Sequence, residues 1–222
     1  MLHVKKLSKT YYSAEGNQAV LKDLDLNLQQ GDSLAILGES GSGKSTLINI
    51  IAGLEEPTKG IIELNGLNLW SCLEHQRAKI RRERLAVIFQ QYNLIPTLTI
   101  RENISFHAKL VGKADPNFVN QIVRTLKLET ILEKYPEQTS GGQQQRVAIA
   151  RAVAAKPNLI LADEPTGNLD EENTQRVIEM LNLLLTENNT SLLIATHSNI
   201  LSAQLDAQVI LTKGTLKKHA IY

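Results

Sequence analysis

Short unbroken apolar runs recur along the chain: Leu34-Ala35-Ile36-Leu37, Leu85-Ala86-Val87-Ile88-Phe89, Leu159-Ile160-Leu161-Ala162 and Leu192-Leu193-Ile194-Ala195. Runs of this length predict strands buried on both faces of a parallel sheet. Helical spacing lies between them. Leu47, Ile48, Ile50, Ile51 and Leu54 predict an apolar helix ending near Gly53. Glu74 to Arg84 reads as a charged helix, with Arg77, Arg81, Arg82 and Arg84 on a solvated face. From Ile100 to about Leu132 the signals are helical, with amphipathic spacing at Ile122, Val123, Leu126 and Leu128. A further helix runs from about Gly142 to Ala155 and is stopped by Pro157. Asp170 is placed to cap another, reaching about Asn188 with Val177, Ile178, Leu181, Leu184 and Leu185 inward.

The ends of the chain follow a different period. Leu2 to Tyr12 alternates weakly, and Leu24, Leu26 and Leu28 alternate cleanly as a half-buried strand. Ile61 to Leu64, turning at Asn65-Gly66, predicts a hairpin piece, and Ala207 to Leu211 with Thr215 to Lys217 predicts another about Gly214. The expected fold is α/β: a parallel core, an antiparallel N-terminal part and a helical subdomain. We expect one domain over 1–222, with its core in 1–90 and 157–222 and the helical subdomain in 91–156.

Composition narrows the function. A length of 222 residues with 42% hydrophobic content is ample for one packed core. The net charge of +1 gives no electrostatic footprint for nucleic acid, so none is expected as a partner. The single Cys72 excludes an internal disulfide and suits a reducing compartment. Residues Met1 to Lys6 lack the apolar segment of a secretion signal. No uncharged apolar run reaches the roughly 18 residues of a membrane span. Work at a membrane would therefore need a partner.

The chemistry centres on Gly38-Glu39-Ser40-Gly41-Ser42-Gly43-Lys44-Ser45-Thr46, which has the G-x-x-x-x-G-K-S form of a P-loop. Glycines let backbone N–H groups turn inward as a nest for phosphate oxygens, and a helix beginning near Lys44 aims its positive end at them. Lys44 is expected to reach the β- and γ-phosphates, and Ser45 to ligate Mg2+. The apolar strand before and apolar helix after supply the context that a loose motif needs.

Asp163 and Glu164 follow directly on a buried strand, which is a rigid post for carboxylates. Asp163 is expected to hold Mg2+ through water, and Glu164 to polarise an attacking water. His197 ends the neighbouring strand, where a parallel sheet places its ligand. Ser140-Gly141-Gly142-Gln143 opens a helix and is a second anion-binding terminus. One nucleotide does not need two such termini from one chain, so this one is expected to serve the nucleotide of a second subunit.

With these residues in view, the whole chain resembles the nucleotide-binding subunit of an ABC transporter. The resemblance implies roles at matched positions. Tyr11 would stack on adenine, with Tyr12 a weaker candidate, although Tyr11 also reads as an ordinary strand-face aromatic. Gln90 would sense Mg2+ and the transmembrane partner. Ser140 to Gln143 match the signature motif, Gly167-Asn168-Leu169-Asp170 the D-loop that reaches the second ATP, and His197 the switch histidine. A finer resemblance, carried by Tyr92 to Thr99, Glu102-Asn103 and Glu164 to Asp170, is to the MacB/LolD/YbbA group. That group drives inner-membrane permeases engaged in lipoprotein release or export of peptides and macrolides. It implies ATP and Mg2+ as cofactors, a second ATPase subunit, and a permease docked near Gln90 to Leu98. It also implies a place on the cytoplasmic face of the inner membrane. Leu94, Ile95 and Leu98 read equally as docking residues or local core.

Two departures stand out. Thr139 occupies the usual signature leucine position, and its hydroxyl must find a partner. Ala86 occupies a frequent glycine position. Other readings are a soluble ABC-type ATPase on ribosomes or DNA, a degenerate cassette that only binds nucleotide, and a P-loop kinase or GTPase. The last leaves the Ser-Gly-Gly-Gln helix without a role.

Overall fold

The computed structural model describes residues 1–14 and 16–218. The strands β1 (Leu2–Ser13) and β2 (Gly16–Leu28) form a long antiparallel hairpin. Next, β3 (Ser33–Leu37) leads into α1 (Lys44–Ile51). The short pair β4 (Lys59–Leu64) and β5 (Leu67–Asn68) returns to the hairpin, giving an antiparallel sheet of order β2-β1-β4-β5. Then α2 (Glu74–Arg84) runs straight into β6 (Leu85–Ile88).

The helical subdomain holds α3 (Ile100–Leu110), α4 (Pro116–Thr125), two single 3-10 turns, and α5 (Gly141–Ala154). The chain re-enters the core through β7 (Leu159–Asp163), α6 (Glu171–Asn188) and β8 (Ser191–Ala195). A short α7 (Asn199–Ser202), a single turn with no readable period, precedes β9 (Ala207–Thr212) and β10 (Thr215–Lys218). The second sheet has order β10-β9-β3-β8-β7-β6 and is parallel except for β10.

The apolar runs are unbroken because these strands feed two cores at once. Side chains alternate between sheet faces. Ile160, Ala162, Leu192 and Ile194 pack towards the helical subdomain with α3, α4 and α5 residues. Leu159, Leu161, Leu193 and Ala195 pack on the opposite side with α1 and the antiparallel sheet. Both faces are therefore dry, and a polar residue anywhere inside β7 or β8 would be buried.

One expectation changes. Arg77 and Arg81 are not a solvated face. The Arg77 guanidinium lies 4.3 Å from the Trp70 ring centroid and pairs with Glu74, while Arg81 donates to the Gly53 carbonyl at 2.8 Å and to Glu74 at 2.6 Å. They clamp α2 onto the end of the P-loop helix. Leu94 is half-buried and packs against the core beside the helical subdomain.

Candidate functional site

The functional side chains converge because they all follow the C-terminal ends of neighbouring parallel strands. The P-loop follows β3, Gln90 follows β6, Asp163 and Glu164 close β7, and Thr196-His197 follow β8. Ligands of open α/β sheets bind at this edge. A cleft of about 550 Å3 opens there, lined by Gly38 to Gly41, Gly43 to Thr46, Val20, Gln90, Asp163, Glu164, Gly167, Asn168 and His197.

The loop closes onto α1 through Gly43, whose φ of 104° lies in the region that side chains avoid. A Cβ there would also stand 2.9 Å from Leu21 Cδ2 and 3.0 Å from Val20 Cγ1. Lys44 is 8% exposed, and its ammonium donates to the Gly38 carbonyl at 2.7 Å and the Glu39 carbonyl at 3.0 Å. The cation is thereby held at the centre of the loop. The first N–H groups of α1 have no partner within the helix, and their residues face the cleft. Loop, charge and helix terminus together make an anion cradle.

Asp163 is buried at the end of β7. Burial pushes its carboxyl above the usual Asp range, and the charge of Glu164 adds to this; a hydrogen bond with Ser45 and the nearby Lys44 ammonium oppose it. A desolvated carboxylate beside a hydroxyl, with a second carboxylate adjacent, is a donor set suited to a hard dication. The cleft residues therefore fit Mg2+.

Glu164 leaves the strand with φ of 51°, a left-handed conformation costly for a residue with a Cβ. Its N–H bonds the Ala195 carbonyl at 2.8 Å, which fixes that turn against β8. The bend directs its side chain to the end of β8. There one carboxylate oxygen meets His197 Nδ1 at 2.8 Å, and the other accepts from Thr196 Oγ1 and the His197 N–H, each at 3.3 Å. Thr196 is a supporting residue that the sequence did not reveal, since a threonine after a strand carries no distinctive spacing. Val20, which lines the cleft from β2, was equally illegible.

Other expected residues lie elsewhere. The Tyr11 hydroxyl stands 3.5 Å from Thr46 Oγ1, so the ring sits at the rim beside the P-loop, with Lys9 Nζ 5.0 Å from its centroid. Ser42 faces the hollow beneath the loop with Leu211 and Thr212. Ser140, Gly141, Gly142 and Gln143 do not line the cleft of their own chain. They form the N-terminus of α5, where Ser140 Oγ accepts from the Gln143 N–H at 3.3 Å and Gln143 Oε1 accepts from the Ser140 N–H at 2.9 Å. This reciprocal cap leaves Ser140 and Gly141 exposed. Asp170 caps α6, accepting from the Asn173 N–H at 2.8 Å. The Thr139 hydroxyl finds its partner locally, donating to the Pro136 carbonyl at 2.7 Å.

Residues 21–167 match the family model described as ABC transporter. The chain belongs to that family. It is 39% identical over 219 residues to the lipoprotein-releasing system ATP-binding protein LolD of Legionella pneumophila (strain Lens), covering 97% of this chain and 96% of that one. It is 38% identical over 223 residues to an uncharacterized ABC transporter ATP-binding protein, YbbA, of Escherichia coli (strain K12), covering 99% and 98%. Among solved structures, the fold is similar to the cassette MJ0796 in a dimeric post-hydrolysis state bound to ADP and Pi, at TM-score 0.91 and 34% identity with full coverage of both chains. A second dimeric structure of that bacterial cassette gives TM-score 0.92. The chain is thus an ATP-binding ABC cassette and an ATPase. Among the described residues no helix is long and apolar enough to cross a membrane.

Proposed function

We propose that this chain is the ATP-hydrolysing subunit of a LolD- or YbbA-like transporter, working as a head-to-tail dimer with ATP held between protomers. The observation that carries this reading is the separation of the two anion-binding termini. The P-loop lines the cleft, while the exposed Ser140-Gly141 turn on the helical subdomain is not part of its lining. A second copy supplies the missing wall, with Ser140 to Gln143 and Asp170 approaching the ATP of its partner.

Within the cleft, Lys44 and the loop N–H groups hold the phosphates, and Tyr11 stacks on adenine at the rim. Ser45, Asp163 and Gln90 would hold Mg2+, which neutralises phosphate charge when bound. Glu164 orients and deprotonates the attacking water. His197 fixes the Glu164 carboxylate and stands where it can contact the γ-phosphate. The segment from Gln90 to Leu98 meets a membrane permease, so the protein sits on the cytoplasmic face of the inner membrane. The work performed is export or lipoprotein, peptide or macrolide handling on the far side; the LolD relative, named for a lipoprotein-releasing system, supports the lipoprotein reading.

The test is Ser140→Arg. The variant should bind ATP as a monomer with unchanged affinity but form no ATP-dependent dimer on gel filtration. ATP-dependent dimers of this variant would refute the shared site.

A further inference from the structure

The Tyr92 side chain bonds the D-loop and lies against the signature turn. Its hydroxyl accepts from Asn168 Nδ2 at 3.2 Å. The same oxygen would stand 2.9 Å from a Cβ on Gly141, so only a glycine there lets it approach the turn. The backbone behind it is bolted to the other end of α5. Arg151 donates to the Tyr92 carbonyl at 3.1 Å and to the Asn93 carbonyl at 2.7 Å. Asn93 itself takes φ of 49°, which turns the chain sharply after Tyr92. Asn168 in turn lines the ATP cleft beside Gly167 and Glu164.

We propose that Tyr92 is a positioning residue, whose hydroxyl sets the D-loop through Asn168 and so links the segment after Gln90 and the signature turn to the ATP cleft. The inference rests on the dimeric ATPase reading above and deepens it. It gives the segment after Gln90 a physical route to the site. A displacement of Tyr92 pulls on the D-loop at Asn168, while α5, gripped through Arg151 and touched at Gly141, moves as the same body. Tyr92 touches no phosphate in this scheme, so its effect falls on turnover and not on nucleotide affinity.

The experiment is a double-mutant cycle in the full chain. Tyr92→Phe keeps the ring and removes one neutral hydrogen bond, an effect of about fivefold. It should lower kcat by about that factor with the KM for ATP and the Tm unchanged. Asn168→Ala should lower kcat similarly, and the double variant should be no worse than either single one. A wild-type kcat for Tyr92→Phe, or losses that multiply in the double variant, would overturn the assignment. Loss of turnover that tracks a fall in Tm would also overturn it, by making Tyr92 a packing residue only. Failure of the dimeric reading is distinct, because it appears in the unmutated chain as ATP hydrolysis without ATP-dependent dimers.

Discussion

The Glu164 carboxylate and the His197 ring are joined at 2.8 Å across the ends of two adjacent parallel strands, yet the two side chains differ sharply in exposure, 14% against 74%. An ionised carboxylate only accepts, so His197 Nδ1 carries the proton and Nε2 is left for the ligand. Glu164 is the fixed member, held also by Thr196 and by the His197 N–H. Glu164→Gln should therefore keep ATP binding, lower hydrolysis by roughly 10²–10⁴-fold and accumulate an ATP-bound dimer. His197→Ala should lose less, because two of the three contacts to the carboxylate remain. Single-turnover hydrolysis rates of both variants decide this. Near-normal turnover of Glu164→Gln would remove Glu164 from the base role, and a His197→Ala loss exceeding that of Glu164→Gln would reverse the order of importance.

A pH dependence of stability follows from His107 on α3. Burial holds its imidazole below the usual histidine range. The nearby Arg151 and Lys113 charges push the same way, and its hydrogen bond to the Arg82 carbonyl at 2.9 Å opposes them. A depressed histidine pKa means that the unfolded chain takes up the proton first. The contribution of neutral His107 is then fully present above pH 6.5, the ordinary value, and is lost as pH falls towards the lower folded one. His107→Gln should flatten the fall in Tm between about pH 7 and 5. Parallel Tm profiles for the two proteins would show that His107 does not contribute.

The strands and the chemistry at their ends were legible because both are dictated locally. An unbroken apolar run such as Leu159 to Ala162 has no other stable home than between two packed layers, and a carboxylate pair at its end is then at the ligand edge. What local sequence did not reveal depends on contacts between distant segments. Arg77 and Arg81 looked like surface charges because nothing near them in sequence announces Trp70 or the Gly53 carbonyl as their partners. Thr196 became visible as a Glu164 support only once β7 and β8 lay side by side. The left-handed turn at Glu164 is likewise unreadable in an acidic pair. It exists because the Ala195 carbonyl holds its N–H in place.

Thr139 is a departure that the structure makes tolerable. The Pro136 carbonyl that accepts its hydroxyl also accepts from Gln144 Nε2 at 2.9 Å and from the Thr139 N–H at 3.0 Å. Thr139→Leu removes one of several donors and leaves no buried group without a partner. It should change stability by no more than about 1 kcal/mol. ATP turnover should stay within about threefold, the kinetic counterpart of less than one such hydrogen bond. A tenfold fall in kcat would show that the hydroxyl acts beyond the cap of α5.

Asn103 is fully buried on α3, and its side chain organises the loop that precedes that helix. Its Oδ1 accepts from the Ile95 N–H at 2.9 Å, while Nδ2 is directed at the Ile95 and Leu98 carbonyls at 3.0 Å and the Thr99 carbonyl at 3.1 Å. One amide thus satisfies the backbone of the segment proposed to meet the permease. Asn103→Ala strands these groups and should cost about 2–3 kcal/mol, read as a lower denaturant midpoint. Asn103→Asp separates shape from hydrogen bonding. It keeps the acceptor for Ile95 but sets a carboxylate against three carbonyl oxygens, so it should be at least as damaging as alanine. Stability of Asn103→Asp near that of the unmutated chain would mean that the donor side of the amide does not hold the loop.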